Sequence, residues 1–130
     1  MIKLKKAQVV AINELVEDEI LLLIDKTVVA CFISYCPYKI ETGKTYDIEL
    51  TLNLSEDYEA KKSSSTHVLA ERTGDGFSYV LYGTLNNGTF QTFTLFSDEG
   101  ISYDHPDLHD SFIKLTVERI DAAFKYKIDF

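Results

Sequence analysis

The chain has 130 residues and carries 21 acidic against 13 basic side chains, a formal charge of −8. This length fits one domain over residues 1–130. Hydrophobic residues make up 45% of the chain, enough to build a core, so the composition excludes a disordered segment. The acid excess argues against binding of a nucleic-acid backbone, since that binding needs Lys and Arg.

The N-terminal third predicts strands rather than a signal or a membrane span. Ala7, Val9 and Ala11 are out of phase with Val10 and Ile12, which predicts a long, bent first strand with both faces apolar. The run Ile20–Ile24 is far shorter than the roughly 20 residues of a membrane helix. Asp25-Lys26-Thr27 separates this run from Val28–Ile33 and predicts a hairpin.

The cysteine count indicates the compartment. Cys31 and Cys36 are too few for a disulfide framework, and no small-residue cleavage site follows the first lysines. We therefore expect a cytoplasmic protein with free thiols.

The clearest period-two pattern covers Thr45–Leu54. Apolar residues alternate there with polar ones, which predicts one buried and one solvated face of an antiparallel sheet. Ser55–Thr66 is polar, with early acids and later lysines, and predicts a short helix capped by Ser55. Asp75-Gly76 and Asn87-Gly88 predict two further hairpins.

The acidic segment Ser97–Ser111 predicts a loop or a single helical turn. Beyond it, Ile113–Val117 alternates in one phase, and the residues from Ile120 to Phe130 alternate in the other. A one-residue shift exchanges the two faces of a strand, so a bulge or bend is expected near Arg119.

Together these segments give about eight strands with short turns and one short helix. The sequence therefore predicts a mainly β, single-domain antiparallel barrel resembling the OB-fold, with a β-sandwich as the alternative.

One segment is rich in possible metal ligands. His105, Asp107 and His109 could bind a divalent ion, although their spacing matches no recognised metal loop. The alternative is a solvated acidic loop in which Asp104 caps a turn that begins near Pro106. We expect no cofactor and no catalytic residues, since the sequence has neither a nucleophile elbow nor a phosphate-binding glycine loop.

Aromatic side chains offer a second kind of site. Tyr79 and Tyr82, with neighbouring phenylalanines, would form a stacking platform for bases or sugars if their rings were exposed. The alternative is that these rings fill the core and pair across strands.

Acidic side chains form three clusters in the sequence. Such clusters serve solubility, and they also speed docking to a basic protein through electrostatic steering. The clusters are Glu14, Glu17, Asp18 and Glu19; Glu56, Asp57 and Glu59; and Asp98, Glu99, Asp104, Asp107 and Asp110.

Two segments carry a resemblance to known proteins. Ser34–Tyr46 and Val117–Asp121 resemble a group of small uncharacterised bacterial β-proteins. In size and charge the chain is similar to immunity proteins that neutralise basic nuclease toxins, a likeness that transfers no contact residue.

These observations favour a non-enzymatic acidic protein that binds a basic protein partner, with toxin inhibition as its role. The alternatives are an OB-like module that binds single-stranded nucleic acid or an oligosaccharide, and an acid-base or metal-dependent enzyme centred on His105, Asp107 and His109. The sequence leaves the oligomeric state open and predicts no membrane partner.

Overall fold

The computed structural model describes residues 4–13 and 15–125, which form eleven strands, one α-helix and one 3-10 turn. The protein is mainly β with one short helix, as the sequence predicts. Glu14 and the predicted continuation over residues 126–130 lie outside the described residues. The elements are β1 (Lys5–Ile12), β2 (Glu19–Ile24), β3 (Thr27–Tyr35), β4 (Thr45–Asn53), β5 (Ala60–Lys62), β6 (Ala70–Arg72), β7 (Tyr79–Asn86), β8 (Thr89–Gln91), β9 (Leu95–Ser97), α1 (Glu99–Asp104), the 3-10 turn Pro106–Leu108, β10 (Ser111–Val117) and β11 (Arg119–Phe124).

The described contacts divide the chain into two compact units. The first unit comprises Met1–Thr51 and Ile120–Phe130, and the second comprises Leu52–Arg119. The single domain expected over residues 1–130 stays a prediction.

In the first unit five strands pair in the order β1-β2-β3-β11-β4. The two end strands of this order, β1 and β4, also pair with each other. The neighbours β3 and β11 run parallel, with Asp121 opposite Phe32, so the prediction of a wholly antiparallel arrangement is wrong. The physical reason is that parallel neighbours need a long connection, and residues 36–118 connect β3 with β11 along the sequence.

The core of the first unit follows the period-two patterns. Inward side chains are fully buried, including Ile20, Leu22 and Ile24 of β2 and Ile120 and Phe124 of β11. A bulge interrupts β1 between Val9, which lies opposite Leu22, and Ala11, which lies opposite Leu21. This bulge accounts for the two apolar phases of the first strand.

In the second unit the strand order is β5-β10-β7-β8-β9, and β6 also pairs with β7. Its core holds fully buried side chains from strands and helix, among them Leu81, Leu85, Phe90, Ile101, Ile113 and Leu115. Glu118 forms a bend between β10 and β11, which confirms the predicted phase shift near Arg119.

The predicted hairpins form where the sequence places turn residues. Asp25 and Lys26 have φ of 47° and 71° between β2 and β3, and Asn87 and Gly88 have φ of 40° and 78° between β7 and β8. Positive φ at both central residues is the mark of a type I′ turn, whose twist matches the flanking strands.

The helix predicted over Ser55–Thr66 is wrong. Residues Ala60–Lys62 of this segment form strand β5, which pairs with β10, and the Ser55 carbonyl accepts a turn hydrogen bond from the Tyr58 amide at 3.2 Å. The segment lacks the apolar stripe with which a surface helix packs on a core. Pairing with β10 is therefore more favourable than a helix capped by Ser55. The helix forms at Glu99–Asp104, within the segment for which a single helical turn is predicted, and Asp98 caps it.

Candidate functional site

Tyr58 joins two acidic segments that are 40 residues apart in the sequence. Its hydroxyl donates a hydrogen bond to the Asp104 carboxylate at 2.8 Å. Its ring packs edge-on against the His105 ring, with 5.5 Å between the centroids. Residues 56–59 therefore lie beside α1, and we call Glu56, Asp57, Glu59, Asp98, Glu99 and Asp104 the Tyr58 face.

Both segments of the Tyr58 face are held in place by hydrogen bonds from their backbone to other parts of the second unit. The Glu59 amide donates to Thr116 Oγ1 at 2.7 Å, and the Thr116 amide donates back to the Glu59 carbonyl at 2.9 Å. The Asp98 amide donates to the Gly88 carbonyl at 2.9 Å, which ties the start of α1 to the β7–β8 hairpin. The acidic side chains are thus presented by a fixed backbone.

The electrostatics of Tyr58 follow from this position. Burial raises the pKa of Tyr58 above its ordinary value, and the hydrogen bond to Asp104 and the charges of Asp104 and Asp98 raise it further. Ionising Tyr58 would place a third negative charge beside two carboxylates. The phenol therefore stays a neutral donor at physiological pH.

The Tyr58–Asp104 hydrogen bond provides a first test. Tyr58→Phe keeps the ring contact with His105 and removes the donor, so we expect the free energy of unfolding to fall by about 1 kcal/mol. Urea unfolding measures this change. Tyr103→Phe is the matched control because Tyr103 lies in the same helix and is 87% exposed. An equal loss in both variants would contradict the assigned role of Tyr58.

The raised pKa of Tyr58 also predicts how stability depends on pH. The folded state holds the phenolic proton more tightly than the unfolded state, whose tyrosines ionise near the ordinary value of 10.0. Stability is therefore full below that value and falls as pH rises above it. Burial also raises the pKa of Tyr38, so Tyr38 contributes to the same loss of stability at high pH. Urea midpoints at about pH 9 and about pH 11 should show a smaller drop in Tyr58→Phe than in the wild type.

A pocket of about 310 Å³ lies next to His105, and we call it the His105 pocket. Its lining is Asn87, Ser102, His105, Pro106 and His109. Ser102 Oγ accepts a hydrogen bond from the Gly88 amide at 3.1 Å, which leaves the hydroxyl proton free to turn toward a ligand. His109 Nε2 lies 3.3 Å from the Asp110 carboxylate.

The structure separates the three predicted metal ligands. His105 and His109 line the His105 pocket, and Asp107 is not part of its lining. Among the described residues no group of three His, Cys, Asp or Glu side chains could hold a metal ion. The expectation that Asp104 caps the turn at Pro106 is wrong, since His105 stands at that N-cap and Asp104 accepts from Tyr58 instead.

The predicted acidic residues have different environments. Glu17, Asp18, Glu56, Asp57, Glu59 and Glu99 are exposed, and Asp98 is half-buried at the helix cap. Glu19 is 7% exposed, and its carboxylate accepts a hydrogen bond from Asn13 at 2.5 Å. The expectation that Glu19 is a surface acid is therefore wrong, because it is held inside the β1–β2 turn.

The aromatic rings mostly serve the core. Tyr79 is 5% exposed and Tyr82 is half-buried, while Phe90, Phe93 and Phe96 are buried. A ring that stacks on a base or a sugar needs an open face. Tyr79 and Tyr82 therefore do not form an exposed platform.

A second groove of about 240 Å³ lies beside the start of β7. Two of its hydroxyl groups form hydrogen bonds within the protein: Ser78 Oγ donates to the Glu118 carbonyl at 3.3 Å, and Thr116 Oγ1 accepts from the Glu59 amide at 2.7 Å.

Sequence reasoning missed Tyr58, Asn87 and Ser102. Tyr58 is the one aromatic residue in the polar segment Ser55–Thr66, and this isolation was the available signal. The sequence predicts only a turn at Asn87, and nothing in the sequence distinguishes Ser102.

These observations define a mainly β protein with an acidic face and a polar pocket. A family model described as "Uncharacterised conserved protein UCP019853" matches residues 3–125, so the chain belongs to this family. No curated protein and no solved structure matches the chain. Within the described residues, no helix is long and apolar enough to cross a membrane.

Proposed function

We propose that the protein is a non-enzymatic binding protein that holds a basic protein partner on the Tyr58 face. The observation that carries this proposal is the convergence of residues 56–59 with α1 around Tyr58. Two acidic segments that are distant in the sequence form one surface there, and a concentrated charge steers and orients a partner of opposite sign.

The distribution of charge supports this surface over others. Residues 52–119 hold 11 acidic and 5 basic side chains, so the second unit carries −6 of the total −8. The first unit has nearly balanced charge. A basic partner is therefore attracted chiefly to the second unit.

The His105 pocket supplies a place for an anchoring side chain of that partner. Asn87, Ser102, His105 and His109 line it with polar atoms, and the Asp110 carboxylate lies 3.3 Å from His109 Nε2. A volume of about 310 Å³ admits a Lys or Arg side chain. Arg is among the residues that most often dominate binding energy at protein interfaces.

The partner class that we propose is a basic toxin, which would make this chain an immunity protein. Support comes from the small size and the acid excess, which such inhibitors share. The test is co-expression with the captured partner. The wild-type chain should restore growth, and a partner that is harmless when expressed alone would overturn the toxin assignment.

We further propose that the first unit is an OB-type barrel and that the protein is cytoplasmic. Numbered among themselves, its strands have the order 1-2-3-5-4 with the first and fourth paired, which supports a five-stranded Greek-key barrel. Cys31 and Cys36, both free thiols, support a reducing compartment.

Affinity capture from the native host tests the proposed partner. The immobilised full chain should retain a basic protein at low salt and release it as the ionic strength rises beyond about 0.3 M, where surface charges are screened. The double variant Glu56→Gln/Asp57→Asn should weaken retention about tenfold.

The matched control removes two exposed acids of the second unit outside the Tyr58 face. Glu71→Gln/Asp75→Asn changes the charge by the same amount and should leave binding within about twofold. Equal losses in both double variants would show general charge attraction instead of a defined face. A retained partner that is neutral and insensitive to salt would overturn the proposal.

A further inference from the structure

The turn between β7 and β8 contains the one Asn-Gly pair of the sequence, Asn87-Gly88. The backbone φ is 40° at Asn87 and 78° at Gly88, and Asn87 is exposed to solvent. Asn87 also lines the His105 pocket together with Ser102 and the two histidines. A change in the charge of Asn87 would therefore change the charge of the pocket wall.

An asparagine that precedes glycine is the kind that most readily loses its side-chain amide without an enzyme. The glycine backbone nitrogen attacks the side-chain carbonyl carbon and forms a C–N bond, and its proton leaves with the amide group as ammonia. Water then opens the cyclic imide to aspartate or isoaspartate, and either product carries one more negative charge. Glycine favours the attack because it has no Cβ atom to shield its nitrogen.

The β7–β8 turn requires this reactive pair. Positive φ at both central residues is tolerated by asparagine and glycine and disfavours most other side chains. Gly88 also lies against α1, since a Cβ atom built there would be 3.0 Å from Glu99 Cγ. Replacing the glycine would therefore strain the turn, and the structure has to control the reactivity of Asn87 in another way.

Hydrogen bonds to the start of α1 hold the Gly88 backbone. The Gly88 amide donates to Ser102 Oγ at 3.1 Å, and the Gly88 carbonyl accepts from the Asp98 amide at 2.9 Å. The Gly88 nitrogen must release its proton and turn toward the Asn87 side chain before it attacks. The hydrogen bond to Ser102 must therefore break before Asn87 reacts.

We propose that Asn87 is a site of spontaneous deamidation and that Ser102 slows the reaction by holding the Gly88 amide. The product places a carboxylate in the wall of the His105 pocket, which His105 and His109 also line. The added charge increases the attraction of this pocket for a basic side chain, and this consequence alone rests on the proposed function. The modification itself requires no partner.

Mass spectrometry of the full chain, incubated at mildly alkaline pH, tests the proposal. Trypsin releases residues 73–114 as one peptide, in which fragmentation distinguishes Asn87 from Asn86. In concentrated urea, Asn87 should gain the mass that accompanies conversion of an amide to a carboxyl group. The folded wild type should react at least about tenfold more slowly, because the turn must first open locally.

Ser102→Ala removes the acceptor of the Gly88 amide and should raise the rate in the folded chain about fivefold, the factor expected for one lost hydrogen bond. Ser102→Thr keeps a hydroxyl group and should stay within about twofold of the wild type. Ser78→Ala is the matched control, because the Ser78 hydroxyl donates to the Glu118 carbonyl instead. Urea unfolding of the variants establishes that they are folded under the incubation conditions.

Three results would overturn the proposal. The first is an Asn87 that does not react in the unfolded chain, and the second is a folded wild type that reacts as fast as the unfolded chain. Neither of these comparisons needs a variant. The third is an equal rate in Ser102→Ala and Ser78→Ala, which would remove the role of Ser102. All three measurements use the purified chain, so they stand whether or not a basic partner is captured.

Discussion

Gly83→Ala is expected to lower the free energy of unfolding by about 3 kcal/mol, at the upper end of the usual cost of overpacking. Gly83 lies in β7, opposite Ile113 of β10. A Cβ atom built at this position would overlap the Gln91 carbonyl oxygen and would lie 2.7 Å from the Gln91 carbonyl carbon and 2.8 Å from Thr92 Cα. All three atoms belong to the backbone, so no side chain can rotate to make room.

Urea unfolding of the full chain measures the effect of Gly83→Ala. Gly76→Ala is the matched control, since nothing lies within 4 Å of a Cβ atom there and its φ is not positive. That control should change the free energy of unfolding by less than about 0.5 kcal/mol. A chain that no longer folds with alanine at position 83 would agree with the expectation, and two variants of equal stability would contradict the close approach of Gly83 to Gln91.

Phe124→Ala is expected to cost about 3–5 kcal/mol, the range found when a buried phenylalanine is truncated. Phe124 is fully buried, and its ring meets Tyr46 edge-on at 5.7 Å between the centroids. Tyr46 in turn stacks on Tyr38 at 5.8 Å, and the Tyr38 hydroxyl donates to the Lys125 carbonyl at 2.7 Å. Truncation therefore removes the innermost member of an aromatic row in the first unit.

A series of substitutions at Phe124 separates packing from surface effects. Phe124→Leu retains most of the buried volume and should cost less than half as much as alanine. Tyr35→Ala is the exposed control, because Tyr35 is an aromatic residue of the first unit that is 57% exposed. Its loss should stay below about 1 kcal/mol. Similar losses for Phe124→Ala and Tyr35→Ala would contradict the placement of Phe124 in the core.

Part of the candidate site is predictable from the sequence, and part depends on contacts between distant residues. Acidic clusters are visible as runs of letters, so Glu56, Asp57, Asp98 and Glu99 could be named from the sequence. The proximity of the two acidic segments in space could not be predicted, because it depends on a hydrogen bond between Tyr58 and Asp104, which are 46 residues apart in the sequence. In the same way, proximity in the sequence joined Asp107 to His105 and His109, and the path of the backbone separates it from the pocket that the two histidines line.

The sequence by itself determined the local features of this protein. Period-two alternation over Thr45–Leu54, turn residues at Asp25-Lys26 and Asn87-Gly88, and the phase shift near Arg119 are properties of neighbouring residues, and local sterics suffice to produce them. The tertiary structure decided the rest: the parallel pairing of β3 with β11, the strand instead of a helix at Ala60–Lys62, and the burial of Glu19. Each of these depends on partners far away in the chain, whose hydrogen bonds and packing outweigh local preferences of a few tenths of a kcal/mol per residue.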